Sequence, residues 1–441
     1  MSQKQDLGWL NLVPSGWSTG HLRWLTRRFA GGTPNKDDES YWADGTIPWL
    51  NSGAVNQFTV TEASAYITDK GFQNSSAKWI SEGALVMALA GQGKTKGMVA
   101  QLAMATTCNQ SMAAIVPGAE LDARYLLWWL TSNYQNIRNM AGGDDRDGLN
   151  LELLGNIVCP LPPVPQQIAI AKFLDRETGK IDALVEEQRR LIEVLREKRR
   201  AVISHAVTKG LDANAKMKPS GVDWLGDVPE HWEVSRLKHV LEAPLQYGAN
   251  EAAEEDDRDN PRFVRITDID EQGNLRDETF RSLKPDLAAP YILDDGDVLL
   301  ARSGATVGKS FLYQHSWGVC CFAGYLIRAR PRKTSLLPEF LFASCQSDFY
   351  WNHIAGEQIQ STIQNVSAER YGNFWLALPP LVEQREICDY LADQINRFSE
   401  LTRAAVRAVE LLQERRSALI SAAVTGAVDI RQLVKVETVA A

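Results

Sequence analysis

Two stretches of this chain have a spacing that could hold phosphate. Ala88-Leu-Ala-Gly-Gln-Gly93-Lys94-Thr95 fits the relaxed form of a phosphate-binding loop, and Ser303-Gly-Ala-Thr-Val-Gly308-Lys309-Ser310 nearly repeats it. Such a loop works by opening a helix immediately after Lys-Thr, so that backbone N–H groups and the helix N-terminus face the phosphates. Here Lys96-Gly97-Met98-Val99 and Phe311-Leu312-Tyr313 follow, which read as strand, and no apolar strand ending in Asp follows to hold magnesium. The spacing is better read as a Gly-rich hairpin loop with a lysine at its tip, in both places. Glycine lets such a loop approach a nucleic-acid backbone closely, and lysine meets phosphate.

Other chemistry is not indicated. The six cysteines (108, 159, 320, 321, 345, 388) form no Cys-x-x-Cys pair and have no histidine at ligand spacing, which points to neither a zinc site nor a disulfide framework. The six histidines (21, 205, 231, 239, 315, 353) are scattered, and no nucleophile-elbow, metalloprotease or amino-methyltransferase motif occurs. The chain therefore reads as non-catalytic. A net charge of −8 argues against a protein that wraps nucleic acid unaided, because sequence-independent affinity comes from Lys and Arg neutralising phosphates. Much of the acid sits between Glu251 and Asp259, either a solvated loop or a DNA-mimicking run. With no apolar run of membrane-spanning length and a polar start, Met1-Ser2-Gln3-Lys4-Gln5, the expected location is the cytoplasm.

The elements that must position these loops occur twice. Arg196 to Asp212 against Gln413 to Asp429, at a constant offset of 217, shows nine identities in seventeen positions. The same offset carries Pro162-Pro163 onto Pro379-Pro380 and Gln167 onto Gln384. Trp9-Leu10, Val13-Pro14 and Trp17 match Trp224-Leu225, Val228-Pro229 and Trp232 at an offset of 215. A period this long excludes a solenoid and makes each half a globular piece plus a helix.

From Gln166 to Thr208 a seam of Leu174, Ile181, Leu184, Leu191, Leu195 and Val202 predicts a coiled-coil helix opened by Pro165 and ended at Gly210. Leu391, Phe398, Leu401, Ala405, Ala408, Leu412 and Leu419 repeat the seam. Each helix should be roughly 60 Å long. The two stripes bury each other most simply as an antiparallel pair, the alternative being two helices each packed on its own domain. The globular pieces read as α/β. Glu82-Gly83 and Asp295-Gly296 are turns leading into strands, and Leu121 to Leu130 and Pro338 to Cys345 are short amphipathic helices. The tryptophan motifs read as core packing.

Taken together, Trp-Leu-x-x-Val-Pro-x-x-Trp opening each half, Gly32-Thr33-Pro34 with Ile47-Pro48-Trp49, and Leu-Pro-Pro before a Gln and a long helix ending Ala-Val-Thr resemble the DNA-specificity subunit of type I restriction-modification enzymes. The similarity covers essentially the whole chain. Gln166-Gln167 stands where that family usually has Glu-Gln, kept at Glu383-Gln384, and the second half lacks a Gly-Thr-Pro counterpart.

The resemblance implies an α/β (α+β) fold, internally duplicated, with two globular target-recognition domains separated by two long helices that form an antiparallel coiled coil. The divisions are a first target-recognition domain at 1–160, a central helical region at 161–221, a second target-recognition domain at 222–377 and a C-terminal helical region at 378–441. It implies a non-catalytic subunit that reads a bipartite, asymmetric site on double-stranded DNA and docks two methyltransferase (modification) subunits, and through them restriction/translocase subunits. No cofactor is expected in this chain; S-adenosylmethionine, ATP and Mg would belong to the partner subunits.

Base reading then falls to polar loop side chains, with Arg on guanine and Gln or Asn on adenine as favoured pairings. The candidates are Lys36, Gln92, Lys94, Lys96, Asn109, Gln110 and Arg146 in the first domain. In the second they are Tyr247, Arg265, Arg302, Ser303, Thr306, Lys309, Gln360 and Gln364. Each taken singly also fits a solvated or turn-stabilising side chain. Two other functions stay open: a coiled-coil assembly scaffold without DNA readout, and a nucleotide-dependent enzyme using Lys94.

Overall fold

A strand buried on both faces organises the centre of each half. The computed structural model describes residues 9–10, 13–91, 94–140, 148–252, 254–270, 273–358, 365–428 and 430. It divides into two units, Met1–Gln188 with Arg407–Ala441, and Arg189–Val406; the divisions fall within the long helices Val164–Lys209 and Leu381–Val424.

In the first unit a five-stranded sheet runs in the order Thr26–Ala30, Met112–Pro117, Leu85–Ala88, Val99–Leu102, Thr59–Val60. Its central strand, Leu85–Ala88, is buried throughout because successive side chains enter two different cores. Leu85 and Met87 pack with the helix Ala123–Ser132, while Val86 and Ala88 pack with Leu50, Val55 and Val60. That helix is capped by Asp122, whose carboxylate accepts the Tyr125 N–H at 2.8 Å. Tyr125 to Leu130 are buried while the polar Arg124, Thr131 and Ser132 are not, so the helix is amphipathic with a wide apolar face, as its sequence predicts.

The second unit repeats the plan. Its sheet runs Gln246–Tyr247, Leu326–Ala329, Val298–Ala301, Ser310–Leu312. Val298 and Leu300 enter one core, Leu299 and Ala301 another. Parallel pairing of Ile47–Leu50 with Thr107–Cys108 in the first unit matches that of Arg262–Val264 with Cys320–Phe322 in the second. The antiparallel pair Ser18–His21 with Val158–Leu161 matches Glu233–Arg236 with Trp375–Leu378, and each leads into a long helix.

Within each unit the two helices run antiparallel. In the first, Ile170 and Leu174 share a core with Ile420 and Val424, and Arg416 Nε meets Asp182 at 2.8 Å. In the second, Ile203 and Val207 share a core with Ile387 and Leu391. The helices therefore bury each other, as the simpler reading of the two stripes anticipated.

The seam itself differs from the one read in sequence. The inward positions are Leu174, Thr178, Ile181, Val185, Gln188, Ile192, Leu195, Arg199, Val202 and Ala206, in unbroken alternation of four and three. Their counterparts 217 residues on, from Leu391 through Ile395, Phe398, Thr402, Ala405 and Val409 to Ala423, are likewise buried or half-buried. Leu184, Leu191 and Leu401 are instead 45%, 43% and 54% exposed. Adjacent helix residues lie about 100° apart, so only one of each neighbouring pair can face the partner. Polar Thr178 and Gln188 at seam positions hid the phase that selects Val185 and Ile192.

Each helix is pinned to its domain by one buried glutamine. Gln167 accepts the Asp122 N–H at 2.8 Å and donates to the carbonyls of Glu120 (2.9 Å) and Pro162 (2.8 Å). Gln384 accepts the Leu337 N–H at 2.8 Å and donates to the carbonyls of Ser335 and Pro379, both at 2.9 Å. The helix ends also match. Gly210 and Gly426 take the left-handed conformation (φ +77° and +71°), and a Cβ on either would press on Trp232 or Trp17 respectively. Leu225, Val228 and Trp232 of the second half's tryptophan motif are buried as core, whereas Trp224 is 39% exposed and stacks on Phe349.

Candidate nucleic-acid interface

Backbone hydrogen bonds bring four loop segments together in each unit. In the first, the Leu89 N–H donates to Ser111 O and Leu89 O accepts from Leu149 N–H, both at 2.8 Å. Gly32 N–H donates to Cys108 O at 2.8 Å, and the Thr33 hydroxyl bonds the Gln110 side chain. These contacts assemble the start of the 89–98 hairpin loop, the turn 109–112, the Gly32-Thr33-Pro34 loop and the segment at Leu149.

The second unit makes the same bonds with other residues. The Arg302 N–H donates to Tyr325 O (3.0 Å), Arg302 O accepts from Val366 N–H (2.8 Å), and Ala249 N–H donates to Phe322 O (2.9 Å). Gly248-Ala249-Asn250 is therefore the structural counterpart of Gly31-Gly32-Thr33, a correspondence the sequence did not reveal. Likewise Arg302 stands where the first unit has Leu89, and Tyr325 where it has Ser111. Asn150 and Ser367, each capping the short helix that follows, are also equivalent.

The two hairpin loops do not align as their Gly-Lys motifs suggest. Gly97 and Gly308 (φ +85° and +86°) occupy the same place, each donating its N–H to the last residue of the preceding strand, Ala88 or Ala301. Met98 and Lys309 follow them, donating to Thr95 O and Thr306 O. Lys94 accordingly lies inside its loop, whereas Lys309 stands at the base, where Ala301 N–H donates to Lys309 O at 2.8 Å. The expected lysine at both tips is replaced by one in the loop and one at the base, because the positive-φ glycine fixes where each strand resumes. Strands, Val99–Leu102 and Ser310–Leu312, follow both motifs.

The sequence-derived candidates separate by environment. Lys36, Lys94 and Gln110 are exposed, and Asn109 is half-buried. Asn109 Oδ1 is buried with no hydrogen-bond partner among the described residues. Lys96 is only 3% exposed, so its chain runs inward. In the second unit Tyr247, Ser303, Thr306 and Lys309 lie around the assembled loops with Arg302. Arg265 is turned away from such a role: its guanidinium donates to the buried carboxylate of Asp268 (2.8 and 3.0 Å) and to Thr279 O. Gln92, Arg146, Gln360 and Gln364 lie outside the described residues.

Sequence reasoning passed over Tyr325 and Asn250. Neither shares residue type with its counterpart, and only strand register exposes the match. Burial pushes the thiols of Cys108, Cys320 and Cys321 up to about 12 and those of Cys159 and Cys345 higher still, which disfavours the thiolate form.

A duplicated domain and an antiparallel helix pair carrying paired loop clusters agree with the similarities to known proteins. The type I restriction modification DNA specificity domain matches twice, over residues 14–194 and 229–411. The chain belongs to that family. The MjaVIII type I restriction enzyme specificity subunit of Methanocaldococcus jannaschii is 22% identical over 71% of this chain and 72% of its own. The EcoKI specificity subunit of Escherichia coli K12 is 22% identical over 85% and 81%. Among solved structures, one from work on complex assembly and conformational transition of the type I R-M system superposes with a TM-score of 0.73 at 17% identity, covering 94% of this chain and 98% of that one. The HsdS subunit of Thermoanaerobacter tengcongensis gives 0.55 at 16% identity, with 94% and 98% covered. These likenesses establish the fold. No helix among the described residues is long and apolar enough to cross a membrane.

Proposed function

We propose that this specificity subunit reads a bipartite, asymmetric sequence on double-stranded DNA, one half-site per unit, and does no catalysis itself. The observation that carries the reading is the repeated four-loop cluster: the same backbone bonds hold it in both units while the side chains it presents differ. A shared framework with different presented groups suits two different half-sites, since phosphate contacts position a protein and base-edge contacts specify sequence. In the first unit the exposed polar groups are Lys36, Lys94 and Gln110, with Asn109 partly exposed; in the second they are Tyr247 and Lys309, with Arg302, Ser303 and Thr306 partly exposed.

The exposed apolar side chains off the helix seam, Leu184, Leu191 and Val194 on one helix and Leu401 and Leu411 on the other, are surfaces for two modification subunits. Restriction/translocase subunits would join through those partners. S-adenosylmethionine, ATP and Mg would enter with them, and the partners would supply much of the grip on DNA that a chain of net charge −8 lacks.

The test is to co-express the chain with its modification subunits and map methylated adenines across a host genome by single-molecule sequencing. A split, asymmetric motif that vanishes when this chain is omitted is the expected result. Methylation unchanged without the chain, or a complex that forms but retains no DNA, would move the assembly-scaffold reading to the front.

A further inference from the structure

The guanidinium of Arg302 is held on one face and at one nitrogen. Its backbone is fixed on both sides, by Tyr325 O at 3.0 Å and Val366 N at 2.8 Å. The group lies over the Tyr247 ring at 4.6 Å from the centroid, and its Nε donates to Asn365 Oδ1 at 3.3 Å. Tyr247 is itself anchored, its hydroxyl accepting the Ala368 N–H at 2.9 Å. Both terminal nitrogens of Arg302 are left without a protein acceptor among the described residues.

An arginine restrained at Nε and on one face, with its two terminal N–H groups free, presents a fork. The major-groove edge of guanine offers two adjacent acceptors, O6 and N7, that fit such a fork; the other bases do not. Beside it Tyr325, 68% exposed on the turn between its two strands, presents a large amphipathic ring. The first unit carries Leu89 and Ser111 at these two places, and Leu89 is buried. The pair is thus a feature of the second unit alone.

Resting on the reading that each unit addresses one half-site, we infer that Arg302 and Tyr325 form a guanine-reading element specific to the half-site of the second unit. Arg302 forks onto the guanine and Tyr325 packs against the neighbouring nucleotide.

The experiment uses the full chain with its modification subunits and compares methylation motifs of wild type, Arg302→Lys, Arg302→Ala and Tyr325→Ala. Arg302→Lys keeps the charge and removes the fork. Both Arg302 variants should lose discrimination at one guanine, in one half of the motif, by roughly ten- to a hundredfold, with the other half read as before. Tyr325→Ala should lower methylation through that same half. Variant complexes with wild-type elution and melting midpoint establish that the loss is not misfolding. The inference is overturned if the wild-type motif has no guanine in the affected half, if both halves change together, or if every folded variant keeps wild-type discrimination. A wild-type complex yielding no chain-dependent split motif would instead overturn the half-site reading on which it stands.

Discussion

The side-chain oxygen of Gln384 accepts the backbone N–H of Leu337 at 2.8 Å, and with that bond the second long helix is tied to the domain before it. Gln384 is fully buried, and its amide nitrogen serves Ser335 O and Pro379 O at the same time. One side chain thus satisfies three backbone groups. Gln384→Ala should cost several kcal/mol, since each buried polar group left unpaired costs about 1–3 kcal/mol. Gln384→Glu should also destabilise, because a carboxylate oxygen would face two carbonyls. Urea unfolding of the two variants decides this; a loss below about 0.5 kcal/mol in both would refute the anchoring role.

The helix seam makes a sharper prediction about neighbours. Ile192→Ala should destabilise by about 2–5 kcal/mol, the range for a buried isoleucine. Leu191→Ala, one residue away and 43% exposed, should stay within about 0.5 kcal/mol in folding while weakening assembly with modification subunits. Thermal melts read the first effect and co-elution the second. Equal melting losses for both would mean the phase assigned to the seam is wrong.

Lys94, exposed within its loop, should act on phosphate. Lys94→Ala is expected to weaken DNA retention by the complex across sequences alike and to lower the slope of log affinity against log salt by about one. The chain alone should hydrolyse no ATP, with or without Lys94, because a strand rather than a helix follows the loop. ATP turnover abolished by Lys94→Ala would restore the nucleotide-dependent alternative.

Cysteine reactivity gives a test of packing. Burial raises Cys108 to about 12 and Cys159 further, so at pH 8 both remain thiols rather than thiolates in the folded chain. Alkylation by iodoacetamide, followed by mass spectrometry, should spare both until denaturant is added. Labelling of Cys159 in the native state would show that its core is open.

Much of this architecture was legible because the duplication preserved residues with strict backbone or packing requirements: Gln167 and Gln384, Gly83 and Gly296, Trp17 and Trp232. Those positions answer to hydrogen bonding, φ and close packing, which constrain residue type in both copies. The helix phase differs from the sequence reading because exposed Leu184 and Leu191 are as apolar as the seam residues Val185 and Ile192 beside them, and exposed Leu401 is more apolar than the seam residue Thr402. The candidate site was legible least. Its equivalences, Leu89 with Arg302 and Ser111 with Tyr325, rest on backbone bonds that leave the side chain unconstrained. Even the Gly-Lys motifs that seemed to match are shifted, because the glycine that both hairpins need is Gly97 and Gly308 rather than Gly93 and Gly308.

The division of the chain also sets an order of events during synthesis. Arg189–Val406 is one uninterrupted stretch, whereas the unit that begins the chain is closed only by residues from Arg407 onward. The hydroxyl of buried Tyr125 lies 3.0 Å from Pro160 O and 3.1 Å from Val424 O, so the core around it is incomplete until Ile420, Ala423 and Val424 arrive. Of these two units, the one whose synthesis starts earlier is therefore the one completed later.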